Sequence, residues 1–110
     1  MSFDIKSTDK FAKSFKKLAK KYKNFKKDYK YLLETLKANN HTAVQVTGDI
    51  YKIRLQNSSN PKGKSGGFRV VYFLKTEENT IYLLDIFSKN EMDNIKKHKL
   101  IEMQNTCNIQ

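Results

Sequence analysis

The chain has 110 residues, and its 22 lysine and arginine residues against 11 aspartate and glutamate residues give a formal net charge of +11. This length fits a single domain over residues 1–110, with enough apolar residues for one hydrophobic core. The charge favours polyanionic partners, with nucleic acid ahead of an acidic protein or a membrane surface, and a compositional bias towards lysine and asparagine is the alternative explanation.

Simple features of the sequence argue against a secreted, membrane-spanning or metal-binding protein. The N-terminus lacks the apolar core of a signal peptide, and the longest strongly apolar stretch, 81–84, is far too short to span a bilayer. Cys107 has no second cysteine for a disulfide or a metal site, and His41 and His98 are far apart in sequence. We therefore expect a cytoplasmic protein with no metal ion, no cofactor and no membrane partner.

The first elements are a short strand and an amphipathic helix. Residues 3–6 alternate in character as a strand does, and Ser7 and Thr8 supply oxygens that can cap the helix that follows. Apolar residues then recur at intervals of four, three and four, which places them on one helical face, while lysines occupy the remainder. The stripe consists of Phe11, Phe15, Leu18 and Tyr22.

A second helix follows after a very short link. Asn24 can cap it, and 39–40 end it. Its stripe consists of Phe25, Tyr29, Leu32, Leu33 and Leu36. The short link predicts an antiparallel helical hairpin. The lysine-rich outer face fits either a solvated surface or long-range attraction to nucleic acid.

The second half of the chain reads as three strands and a helix. Residues 41–48 form a connection with a turn at Gly48, and strands are predicted at 49–56, 67–75 and 80–87. The segment 57–67 is too polar and glycine-rich for anything but a loop, and a weak apolar pattern at 91–106 predicts a terminal helix.

This order, β-α-α-β-β-β-α, predicts an α+β fold. We expect a small antiparallel twisted sheet with the N-terminal helical hairpin on one face and a C-terminal helix, the other face of the sheet being partly open.

Cations alternate with apolar residues in two of the predicted strands. Lys52 and Arg54 point away from the apolar side of the first strand, and Arg69 does so in the second. An antiparallel pair would therefore display all three together. Cleavage of RNA needs stabilisation of the charge on a phosphorane-like transition state, and arginine matches phosphate oxygens geometrically. The alternative is an ordinary solvated sheet face.

The loop adds Lys62 and Lys64 among glycines whose amides can approach a phosphate closely. It does not match a Walker motif, because the glycine-to-lysine spacing is wrong and no helix follows. A flexible basic surface loop is the alternative interpretation.

Three runs of the sequence resemble the RelE/ParE superfamily of bacterial toxins. They are Tyr-Lys-Ile-Arg-Leu at 51–55, Lys-Gly-Lys-Ser-Gly-Gly-Phe-Arg-Val-Val-Tyr at 62–72 and Ile-Phe-Ser-Lys-Asn-Glu at 86–91. Within the superfamily the chain most resembles the HigB/RelE-type branch, over nearly its whole length. The resemblance implies a RelE-like fold and the toxin of a type II toxin-antitoxin system, a ribosome-dependent mRNA endoribonuclease that cuts mRNA in the A site and inhibits translation.

The resemblance also implies site residues. The two basic strand positions of the family match Lys52 and Arg54, its transition-state arginine matches Arg69, and its C-terminal basic segment matches the region of Lys89. The chain departs from the best-studied branch at Asn90, where that branch has an arginine.

A tyrosine of the family is also missing, since no tyrosine follows Tyr82. Phe87 can stack on a base but cannot donate a proton. The candidates for the general acid are Lys89, Lys96 and His98, the last of which also fits an ordinary exposed helix residue. The expected RNA-binding residues are Lys62, Lys64, Phe87 and Lys96.

The expected partners are a cognate antitoxin protein with an acidic or amphipathic segment, the ribosome and mRNA. Two other functions fit the same fold: a ParE-like inhibitor of DNA gyrase, and a degenerate family member that binds antitoxin or RNA without cleavage.

Overall fold

The computed structural model describes residues 3–38, 43–59, 67–88 and 97–108. Within these ranges the chain forms five strands, three α-helices and one short 3₁₀ helix at Thr76–Glu78. The elements are β1 (Asp4–Ser7), α1 (Asp9–Lys21), α2 (Phe25–Lys37), β2 (Val44–Thr47), β3 (Ile50–Leu55), β4 (Phe68–Lys75), β5 (Thr80–Ser88) and α3 (Lys97–Asn108).

The strands form one sheet in the order β1-β5-β4-β3-β2. The pairs β2–β3, β3–β4 and β4–β5 are antiparallel. Short turns join the first and the last of these pairs, whereas the longer segment 56–67 joins β3 to β4. β1 instead pairs parallel with β5, with Asp4 opposite Thr80 and Ser7 opposite Leu83. The predicted α+β class is confirmed, but the sheet is mixed rather than purely antiparallel.

The predicted connection at 41–48 contains a strand, β2. Its sequence Val-Gln-Val-Thr alternates and is rich in β-branched residues, but four residues at the edge of a sheet give a weak pattern. Pairing with β3 stabilises it, and Gln45 Nε2 donates to the carbonyl of Gly48 at 2.6 Å across the turn. The turn itself is where the sequence predicts it, with Gly48 at φ 52°.

Both faces of the sheet bury apolar side chains. The helical hairpin covers one face, forming what we call the first core; α3 packs against the other through Leu100 and Cys107, forming the second core. The expectation of a partly open second face is thus only half right, since α3 covers part of it. The first core includes Phe11, Leu18, Phe25, Leu32, Leu36, Phe68, Val70 and Ile86; the second includes Ile50, Val71, Phe73, Tyr82, Leu84 and Phe87.

Thr8 joins α1 to the edge of β5. Its Oγ1 accepts a hydrogen bond from the amide of Phe11 at 3.2 Å, which confirms it as the N-cap of α1. The same hydroxyl lies 2.9 Å from the carbonyl of Leu83, to which it donates. α1 therefore begins at the β5 edge just where β1 ends.

No helix among the described residues is long and apolar enough to cross a membrane.

The docking of α3 can be followed through Cys107. Its side chain is only 4% exposed, and burial raises the pKa of the thiol. The thiolate is the reactive form of cysteine. We therefore expect the rate at which iodoacetamide alkylates Cys107 to be lower in the native protein than in the urea-denatured chain, by about tenfold or more.

Two variants of α3 give a matched comparison. Leu100→Ala removes a buried contact and should accelerate the alkylation, whereas Ile101→Ala, at a position 43% exposed, should not. Equal alkylation rates in the native and the denatured chain would show that α3 does not cover Cys107.

Candidate nucleic-acid interface

The register of β3 and β4 brings the predicted strand cations together. Arg54 lies directly opposite Arg69, and Lys52 lies opposite Val71, two residues along the same face. On its other side, Arg69 is paired with Phe87 of β5. Adjacent strands are about 4.8 Å apart, so Arg54, Arg69 and Phe87 form a short row across the sheet, which we call the arginine row. Lys52, Arg54 and Arg69 share one face of the sheet, as the alternation of the sequence predicts.

Arg54 and Arg69 are the only arginines among the 22 cationic residues of the chain. Like charges directly opposite each other on neighbouring strands destabilise a sheet. Arg54 is exposed, Lys52 and Arg69 are half-buried, and Arg69 Nη1 lies 3.4 Å from the carbonyl of Phe68. Arginines at paired positions on neighbouring strands are suited to an anion shared between them, since a guanidinium group can donate two hydrogen bonds to phosphate oxygens.

Phe87 lies in the second core and is only 7% exposed. Little of the ring is therefore available for a base in this structure. Stacking of Phe87 on RNA stays a prediction. In the structure, the ring packs in the second core at the end of β5, next to Arg69.

The other predicted site residues are less well defined. Lys62, Lys64, Lys89 and Lys96 lie outside the described residues, as does Asn90. His98 is exposed on α3. No group of three or more histidine, cysteine, aspartate or glutamate side chains within the described ranges is placed to hold a metal ion.

Two buried tyrosines of the sheet, Tyr72 and Tyr82, lie outside the arginine row. Tyr82 is on the second face but precedes Phe87 by five residues, about 17 Å along a strand. Its hydroxyl donates to Glu78 at 3.0 Å, which raises the pKa of Tyr82. Tyr72 belongs to the first core, where burial raises its pKa, with a further contribution from Tyr51. Neither is placed to protonate a group at Arg69.

A buried aspartate that the sequence analysis missed anchors the end of β3. Asp28 is 8% exposed and accepts hydrogen bonds from the amide of Ser58 at 3.0 Å and from its hydroxyl at 2.6 Å. The signal was available, because Asp28 lies three residues after Phe25 and four before Leu32, on the apolar stripe of α2. A carboxylate on such a stripe needs a buried partner.

Asn24 adds to the same contact. Its backbone amide donates a hydrogen bond to Ser59 Oγ at 2.8 Å, and its side-chain Nδ2 donates one to the carbonyl of Ser58 at 3.4 Å. It occupies the predicted N-cap position of α2, but its side chain forms no capping hydrogen bond. Together these bonds attach residues 58–59, which follow β3, to the start of α2.

Gly67 sets the start of β4. It has φ +111°, and a Cβ atom there would lie 2.9 Å from the carbonyl oxygen of Leu55. Only glycine allows the backbone to approach Leu55 this closely in this conformation. The close approach occurs one residue before the Leu55–Phe68 pair, and it therefore helps to hold Arg54 opposite Arg69.

Comparisons with known proteins find a matching family model and similar solved structures. A family model described as the RelE toxin of the RelE/RelB toxin-antitoxin system matches residues 10–109. The fold is similar to that of the E. coli toxin RelE in the free state, solved as a mutant with two arginines replaced by alanine, with a TM-score of 0.60, 20% identity, and coverage of 84% of this chain and 90% of that one. The intact E. coli RelBE toxin-antitoxin complex also matches, with a TM-score of 0.49, 21% identity and coverage of 77% and 94%.

The Asp28 anchor predicts a change in stability. In Asp28→Asn the charge is lost and two hydrogen bonds from Ser58 can no longer both be accepted, so the free energy of unfolding should fall by about 1–3 kcal/mol. Urea denaturation measures this. Glu34→Gln, an exposed acid on the same helix, removes the same charge and should change the stability by less than about 0.5 kcal/mol. Equal effects of the two substitutions would contradict the anchor.

Proposed function

The chain belongs to the RelE toxin family of RelE/RelB toxin-antitoxin systems, and we propose that it is a ribosome-dependent endoribonuclease that cuts mRNA in the ribosomal A site and so inhibits translation. The observation that carries the proposal is the cross-strand pair of Arg54 and Arg69, the only two arginines of the chain, with Lys52 on the same face. The family assignment supports RNA as the proposed substrate class, and the arginine pair supports the proposed location of the phosphate.

In the proposed reaction the 2′-oxygen of a ribose attacks the adjacent phosphorus as its proton passes to a general base, for which Lys52, neutral before this step and cationic after it, is the candidate. A bond from the 2′-oxygen to phosphorus forms, the bond to the 5′-oxygen breaks, and a proton is delivered to that oxygen, leaving a 2′,3′-cyclic phosphate. Negative charge accumulates on the non-bridging oxygens in between. In this proposal Arg54 and Arg69, which lie opposite each other on one face of the sheet, hold those oxygens, and Lys52 adds a point charge nearby.

The proposal assigns charge stabilisation to these side chains rather than to a bound metal ion. The general acid is proposed to come from the C-terminal part of the chain, with Lys89, Lys96 and His98 as candidates. Lys62, Lys64, Phe87 and Lys96 are proposed to contact the RNA around the phosphate.

We further propose that a cognate antitoxin protein binds and neutralises this chain, because the family to which it belongs is the toxin half of a toxin-antitoxin system. The net charge of +11 would draw an acidic partner rapidly and in a salt-sensitive manner. Action on ribosomes places the proposed activity in the cytoplasm.

Mapping of mRNA 5′ ends in translating cells that express the protein tests the cleavage. New ends should appear within coding sequences, at positions that correspond to the ribosomal A site, and should disappear when translation initiation is blocked. Growth arrest with unchanged transcripts would overturn the proposal. DNA damage with trapped gyrase complexes would instead indicate the ParE-like function, and binding of ribosomes without new ends would indicate a non-cleaving family member.

Substitution of Arg69 predicts a loss of cleavage without a loss of fold. Arg69→Ala should lower the cleavage rate by about 10²- to 10³-fold, because a donor to the developing charge is removed. Arg69→Lys keeps the charge but not the planar fork, and should lie between Arg69→Ala and the wild type. Primer extension on a translated message measures the rate, and circular dichroism measures the fold.

Lys75→Ala is the matched control for this series. Lys75 is a half-buried cation at the other end of β4, where it pairs with Glu78 at 3.2 Å. Its removal should leave cleavage unchanged. A fully active Arg69→Ala protein would show that the arginine pair is not where the phosphate is held.

A further inference from the structure

A groove of about 440 Å³ lies between α1 and the end of β5. β1 pairs with β5 only from Thr80 to Leu83, so in the described part of the chain α1, and not a strand, flanks the next residues of β5. The side chains that matter for its chemistry are Lys10, Lys13, Ser14 and Lys17 from α1, and Asp85 and Phe87 from β5.

The three lysines share one side of α1. Their spacing of three and four residues places them one above another along about 10 Å of helix. All three are exposed. Lysines on the convex part of a helix are commonly solvated, but these three line a concave surface, where a low-dielectric wall concentrates the potential of like charges.

Asp85 does not neutralise this groove. It is 4% exposed, and its Oδ1 accepts hydrogen bonds from Ser14 Oγ at 2.6 Å and from the amide of Ile86 at 2.8 Å. Its other oxygen lies 4.0 Å from Lys10 Nζ. Within the described ranges neither Lys13 nor Lys17 forms an ion pair, so the accessible charge of the groove is positive.

The groove and the arginine row share one residue, Phe87. Phe87, which lines the groove, is the register partner of Arg69, and Arg69 is the partner of Arg54. Typical spacings of about 4.8 Å between neighbouring strands and about 10 Å between packed layers give a path of about 20 Å from Arg54 to the lysines of α1. A single strand carries one phosphate every few ångströms, so several phosphates fit along this path.

We propose that this groove binds the phosphate backbone of the cleaved RNA strand, on the nucleotides next to the phosphate held by Arg54 and Arg69. Lys13 and Lys17 contact the phosphates, and Lys10 and Ser14 hold Asp85 in the wall. The inference rests on the RNA cleavage proposed above. It adds to that site a surface on α1 that binds the RNA backbone and does not distinguish between base sequences.

The decisive comparison uses two double substitutions on one helix. Lys13→Glu with Lys17→Glu reverses the sign of two charges in the proposed RNA-binding groove. Lys16→Glu with Lys20→Glu makes the same change of charge in a different groove, between α1 and α2. Both pairs are four residues apart and exposed, so effects on helix stability and on long-range attraction are matched. The alanine versions of both pairs, which favour helix, provide variants with less risk to folding.

The first measurement is binding of a fluorescent twelve-nucleotide RNA, 2′-O-methylated to prevent cleavage, as salt is raised. Lys13→Glu with Lys17→Glu should weaken RNA binding by about tenfold or more relative to Lys16→Glu with Lys20→Glu. It should also reduce the slope of log K against log salt concentration by about two, because two phosphate contacts are lost. Equal weakening by both double substitutions would overturn the proposal, since it would leave only the net charge.

The second measurement is binding to ribosomes that carry no mRNA. The two double variants should bind these equally, because the proposed ligand is the message. Weaker binding of the Lys13/Lys17 variants than of the Lys16/Lys20 variants to mRNA-free ribosomes would identify ribosomal RNA as the ligand and overturn the proposal. Arg69→Ala should retain the groove-dependent part of RNA binding, so failure of the cleavage proposal and failure of the groove proposal give different results.

Discussion

The register between β3 and β4 is the constraint on which the candidate site depends. It places Arg54 opposite Arg69, an arrangement that electrostatic repulsion opposes. The same register pairs Ile53 with Val70 and Leu55 with Phe68, whose side chains are buried in the first core. A slip of one residue would exchange the faces of every side chain, so apolar burial on one face determines which cations meet on the other.

Burial on both faces of the sheet then limits where the cations can be exposed. α3 covers part of the second face with Leu100 and Cys107, which leaves the arginine row at the end of β3 and β5. Residues 58–59 are attached to α2 through Asp28, and Gly67 is in close contact with Leu55. Rigid placement of the elements around a phosphate lowers the cost of holding it, because less freedom is lost on binding.

The relation of α1 to β5 extends this positive surface beyond the sheet. Thr8 fixes the start of α1 at Leu83, and Asp85 satisfies the Ile86 amide at the part of the edge that β1 does not reach. An inward-pointing carboxylate at a strand edge discourages further strand pairing there. The space beside this edge is consequently lined by lysines, and we interpret it as a path for RNA backbone rather than as a place for another strand.

By itself the sequence determined the helices, three of the strands that follow them and the common face of Lys52, Arg54 and Arg69, because periodicity and alternation are local properties of a chain. Only the tertiary structure decided the parallel pairing of β1, the docking of α3 and the burial of Asp28 and Asp85, because these depend on contacts between residues far apart in sequence. The lysines of α1 show the difference most plainly. Lys13 and Lys16 both belong to the lysine-rich face in the sequence, but in the folded chain Lys13 lines the groove at the end of β5 and Lys16 lines a different groove, against α2.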